Sequence, residues 1–128
     1  MTLSPRYQRT IARQKQRTAK YWDLLIVPWI EAGEVPMLGF QFRVSDEDTA
    51  RSLAERLRAL GTKHVEVERR SFALWGRWKV HGYDAAPSKQ IDQVNAWIER
   101  MITIGAEFGA QFYGWSPGRP IDSLPSTT

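Results

Sequence analysis

Residues 37–61 read MLGFQFRVSDEDTARSLAERLRALG, and a change of rhythm inside this stretch decides the fold. Met37 to Val44 alternates. Leu38, Phe40, Phe42 and Val44 fall on one side, with Gln41 and Arg43 on the other, which is the pattern of a half-buried strand. At Ser45 the period lengthens. Ala50, Leu53, Ala54, Leu57 and Leu60 recur at helical spacing. Ser45 is the expected N-cap, and Asp46, Glu47 and Asp48 fill the first turn, where the helix dipole favours negative charge. That placement accounts for the acidic trio without a metal. Gly61 is the expected stop.

Downstream the alternation returns. His64 to Phe72 turns Val65 and Val67 inward and Glu66 and Glu68 outward. A second run, about Trp75 to Tyr83, holds Trp78 and Val80 on one side and Arg77, Lys79 and His81 on the other. The two runs read as a hairpin, although residues 70–74 do not form a two-residue turn. A loop from Asp84 leads into a helix from Pro87 or Ser88 to Phe108. Ile91, Val94, Ile98, Met101, Ile102 and Gly105 form its core stripe, and Gly109 is the expected stop. Gln111 to Trp115 reads as a last short strand. The order is β-α-β-β-α-β, which predicts an α+β domain with a ferredoxin-like antiparallel sheet and two helices on one face. The other face is open, or covered by something extra.

Upstream, Ser4-Pro5 is a good helix start, and a helix is expected over residues 5–27 with Pro28 ending or kinking it. Tyr7, Ile11, Thr18, Trp22 and Leu25 share its apolar side. Arg6, Arg9, Arg13, Arg17 and Lys20 form a stripe about 80° wide at about 100° per residue. This helix is the candidate cover for the open sheet face, or its apolar side is buried on a second copy of the chain, giving a homodimer. Three segments follow: 1–33, a basic amphipathic helix and linker; 34–116, the ferredoxin-like domain; and 117–128, an irregular Pro- and Ser-rich tail.

Composition narrows the function. The 128 residues include 18 Lys+Arg, 14 Asp+Glu, 2 His, 6 Trp and no Cys, for a formal charge of +4. Six basic residues face two acidic ones within residues 1–33, and twelve face twelve beyond, so the whole excess belongs to the N-terminal segment. Without cysteine there is no disulfide, thiolate nucleophile or zinc ribbon. His64 and His81 lie on adjoining strands, but no nucleophile or phosphate-binding loop accompanies them at a recognisable spacing. The Gly105–Gly109 segment ends a helix instead of opening one, so it is no nucleotide fingerprint. The apolar run from Leu24 to Ile30 is too short to span a bilayer. No secretory signal is evident, and the cytoplasm is the expected location. No catalytic residue, cofactor or metal is expected.

The helix Ile91–Phe108 followed by Phe112-Tyr113-Gly114-Trp115 resembles the end of the regulator of ribonuclease activity B (RraB-like) family. That family closes its domain with a long helix and a strand ending Tyr-(Asp)-Gly-Trp. Here the Asp is absent. The best-known members are acidic, whereas this domain is charge-balanced, its N-terminal arm is basic and no acidic tail follows. The resemblance implies a non-enzymatic domain that binds ribonuclease E and restrains it by covering part of its surface. Tyr113, Gly114 and Trp115 carry the family motif. Trp115 is expected under the second domain helix, with Gly114 allowing close backbone approach. Candidate partner-binding residues are Arg6, Arg9, Arg13, Arg17 and Lys20, with Trp75 near the hairpin connection. The basic stripe offers a second partner class, nucleic acid. The sheet itself fits RNA less well, because Glu66 and Glu68 point outward beside Gln41, Arg43, Arg77 and Lys79.

Overall fold

The computed structural model describes residues 4–33, 37–69, 78–85 and 90–118. Helix α1 (Pro5–Tyr21) passes through a π-helical turn (Trp22–Ile26) into α2 (Val27–Glu31). Then follow β1 (Met37–Val44), α3 (Glu47–Ala59), β2 (His64–Arg69), β3 (Trp78–Ala85), α4 (Ile91–Glu107) and β4 (Gln111–Gly118). The strands form one α+β sheet in the order β2-β3-β1-β4, and every neighbouring pair is antiparallel.

The alternation of β1 places the core. Leu38, Phe40, Phe42 and Val44 are all buried, and α3 and α4 cover them with Leu53, Leu57, Val94, Trp97, Ile98 and Ile102. Three edge-on ring contacts tie the core, Phe40–Phe42 at 6.0 Å and Phe42–Phe112 at 5.3 Å within the sheet and Phe40–Trp97 at 6.4 Å between sheet and α4, all between centroids. Trp97 is buried but not orphaned, since its Nε1–H donates to Asp84 Oδ2 at 3.0 Å.

Several boundaries differ from the sequence expectation. The cap of α3 is Asp46, one residue after Ser45. Its carboxylate accepts from the backbone N–H of Thr49 at 2.8 Å and from the Thr49 hydroxyl at 3.0 Å. These bonds hold its pKa below the usual value. Ser4 occupies the N-cap position of α1 but its side chain caps nothing. Strand β4 runs on through Ser116 and Pro117, pairing with Gly39 and Leu38. An edge strand tolerates Pro117, because one side of its backbone needs no ladder partner. The hairpin connection, the loop before α4 and residues 119–128 lie outside the described residues, and Trp75 with them.

The N-terminal helix departs most. Pro28 neither ends it nor frees the chain beyond. The π turn, in which the Val27 N–H reaches back to Trp22 O, widens the helix where the proline ring would clash with the preceding turn. Pro28 then sits in the first turn of α2. Ile26 becomes fully buried and joins Trp22 in the domain core, while Leu24 is exposed. Nor does α1 cover the open sheet face. It packs against α4 and the edge of β4. Its buried residues are Thr10, Gln14 and Thr18, and the threonine hydroxyls donate to Arg6 O and Gln14 O inside the helix. The small threonines let this side fit against α4, with Gln14 Oε1 buried there without a hydrogen-bond partner among the described residues. The polar sheet face would offer it no apolar surface to cover. Of its apolar residues, Tyr7, Ile11 and Trp22 pack against the core of their own chain, so these three give no motive for a homodimer.

Candidate interaction site

The open face of the sheet is built from three cross-strand rows. One runs Glu68–Lys79–Arg43–Gln111, the next Glu66–His81–Gln41–Gly114, the third His64–Tyr83–Gly39–Ser116. The register makes the face electrically polar. Both carboxylates lie on the edge strand β2, whereas Lys79 lies on β3 and Arg43 on β1. His81 stands between, its Nε2 3.3 Å from Glu68 and 3.7 Å from Glu66. His64 and His81 do not face each other. His64 stacks on Tyr83 at 4.6 Å, and His81 keeps to its carboxylates. Among the described residues no cluster of three His, Asp or Glu could hold a metal ion.

A bulge in β4 arranges the Tyr-Gly-Trp stretch. Gln41 pairs with Gly114 but Phe42 pairs with Phe112, so Tyr113 is the extra residue. Phe112 and Trp115 both enter the core, and Tyr113 swings out, 52% exposed. The guanidinium of Arg43 lies 3.6 Å from the centroid of the Tyr113 ring, a close cation–π contact. Gly114 adopts φ 153°, where a side chain is disfavoured, and a Cβ there would lie 3.1 Å from Nη1 of Arg17. What approaches Gly114 is the side chain of Arg17 from α1, and not the other backbone that was expected there. A shallow trough of about 410 Å³ marks the junction, lined by Arg17, Gln41, Lys79, His81, Tyr113 and Ser116 among others.

The predicted site residues therefore separate. Arg17 lies beside Gly114, and its guanidinium stands 5.3 Å over the ring of Tyr21. Arg6, Arg9, Arg13 and Lys20 continue along the exposed side of α1, and none makes an ion pair among the described residues. Among the described residues the one ion pair between α1 and the domain, Lys15–Glu99 at 3.1 Å, uses another side of the helix. Trp115 is core and not surface, as the packing reading expected. Sequence reasoning named Arg43 and Lys79 only as outward-facing. It missed their junction with Tyr113, because a bulge leaves no mark on a period-two pattern.

A larger cleft of about 610 Å³ lies where the C-terminal end of α3 meets β2, β3 and α4. Its floor is apolar, with Leu57, Met101 and Ile104. Its carboxylate, Asp84, is engaged by Trp97 and, at 3.4 Å, by Thr62. This arrangement is structural. No helix among the described residues is long and apolar enough to cross a membrane.

A search of curated proteins returns no match. The family model described as regulator of ribonuclease activity B matches residues 34–116, from just before β1 to within β4, and so takes in the whole open face with its bulged Tyr113. On that match, which spans more than half of the sequence, the chain belongs to the regulator of ribonuclease activity B family.

Proposed function

We propose that this chain is a non-catalytic regulator that binds a ribonuclease of the E type through the open face of its sheet and covers part of the enzyme. The observation that carries the reading is Tyr113, half exposed on an uncovered face and braced by Arg43. An aromatic and an arginine together are the residue types that dominate binding energy at interfaces. Family membership supplies the class of partner. Read from β4, the strand order is 4-1-3-2, and the ferredoxin-like split βαβ is the arrangement it supports. Four strands about 4.8 Å apart and about 26 Å long present roughly 500 Å². That is below the approximately 800 Å² per partner of a standard interface, and suits reversible regulation. We place the action in the cytoplasm, with its target ribonuclease.

The experiment is a cleavage assay with a ribonuclease E-type enzyme and a labelled oligoribonucleotide. The wild-type chain should slow cleavage at saturating concentration. Tyr113→Ala should weaken the inhibition about tenfold or more, the loss expected of an interface anchor. A wild-type chain that neither binds nor slows the enzyme refutes the regulator reading. Full inhibition by Tyr113→Ala refutes the face.

A further inference from the structure

We propose that the basic row of α1, continued through Arg17 onto Arg43 and Lys79, is a binding strip for single-stranded RNA. Three observations meet in it. The first is uncompensated charge. Arg6, Arg9, Arg13 and Lys20 are exposed without an ion pair among the described residues, and no acidic residue precedes Asp23 in the chain. The second is spacing. Steps of three and four residues set a cation about every 5 Å along one side of a helix, over about 21 Å from Arg6 to Lys20. The third is continuity. Arg17 reaches across the β4 edge to the backbone of Gly114. Tyr113 and the Arg43 guanidinium on its ring come next, and Lys79 pairs with Arg43 across the strands.

These parts match a polynucleotide better than an acidic protein. A protein interface depletes charge at its centre and seals apolar contacts there. This strip does the opposite, being almost all guanidinium, the group that grips phosphate through paired N–H donors. Its one exposed ring stands beside a guanidinium plane, the two surfaces on which unpaired bases stack. Of the acidic pair that argued against an RNA-binding sheet, Glu68 lies directly across from Lys79 and closes the strip at that end, while Glu66 lies beyond His81 on the edge strand. That the polynucleotide is RNA rests on the ribonuclease-regulator reading. The strip itself rests on the geometry alone.

The test uses the full chain and a fluorescein-labelled oligouridylate, with affinity measured as salt is raised. Single-strand binding loses about 0.7 log unit of affinity per log unit of salt for each phosphate neutralised. The seven cations of the strip predict a slope of about −4.9, and the five on α1 alone one of about −3.5. Arg6→Gln/Arg9→Gln/Arg13→Gln should weaken binding at least about tenfold at low salt and flatten the slope by about 2. These side chains lie outside the core, so circular dichroism should be unchanged. Tyr113→Ala should weaken binding severalfold with an unchanged slope, as loss of stacking requires. Three results overturn the proposal: no binding at low salt, full binding by the triple variant, or equal affinity for polyglutamate with no contribution from Tyr113. Ribonuclease inhibition is measured alongside with the same proteins. Inhibition retained while RNA binding is absent removes only the strip. RNA binding retained while inhibition is absent removes only the regulator reading.

Discussion

A methyl group added at Gly105 would lie 2.6 Å from Cε1 of Phe42, a ring with no exposed surface. Two effects compete in Gly105→Ala. Helix propensity favours alanine by up to about 1 kcal/mol. Overpacking a well-filled core costs about 1–3 kcal/mol. The approach is too close for the ring to yield a few tenths of an ångström, so the clash wins. Gly105→Ala should lower stability by about 1–2 kcal/mol in urea unfolding, and a gain would show that Phe42 repacks freely. That Gly105 lies on the inner side of α4 was legible from the spacing of Ile91, Val94, Ile98 and Ile102. Phe42 as its partner was not, because periodicity gives a face and never the residue across from it. The cap of α3 shows the same limit. Ser45 and Asp46 are both good caps in sequence, and only the Thr49 contacts choose Asp46.

At the scale of elements, β1, α3, β2 and α4 were legible because each buries one apolar side with a regular period, whereas the bulge in β4 turns Phe112 and Trp115, three positions apart, to the same inner side. The N-terminal helix was legible as a helix and as a two-sided one, but its destination was not. Its buried positions Thr10, Gln14 and Thr18 are polar in sequence, and the two threonines are accommodated by hydroxyls turned back to the helix's own carbonyls. The π turn then shifts the inward position to Ile26, which no regular period predicts. The consequence is that this segment belongs to the core, and it is measurable. Ile26→Ala should cost about 2–5 kcal/mol, as for any fully buried aliphatic side chain. A detachable arm would lose almost nothing. For the same reason, removing residues 1–33 would strip Trp22 and Ile26 from the core, so surface substitutions on α1 are the cleaner probe of its charge.

Across the whole molecule, charge is sorted twice. Along the chain the excess lies within residues 1–33, which was legible by counting. Across the sheet, β2 carries the carboxylates while β1 and β3 carry Arg43 and Lys79, a division that needs the strand order. The two basic regions join only because α1 packs beside β4 and not over the sheet. This arrangement predicts what reversing the acidic edge should do. In Glu66→Lys/Glu68→Lys the positive field would extend over the full face, at side chains that are largely exposed and outside the core. If RNA runs from α1 onto the sheet, its far end approaches those positions, and the salt slope should steepen by up to about 1.4, two phosphates at about 0.7 each. If RNA stops at Lys20, the new lysines lie beyond about one Debye length of it, roughly 10 Å at 0.1 M salt, and the slope should not move. The measured slope therefore decides whether the strip ends on the helix or crosses to Arg43 and Lys79.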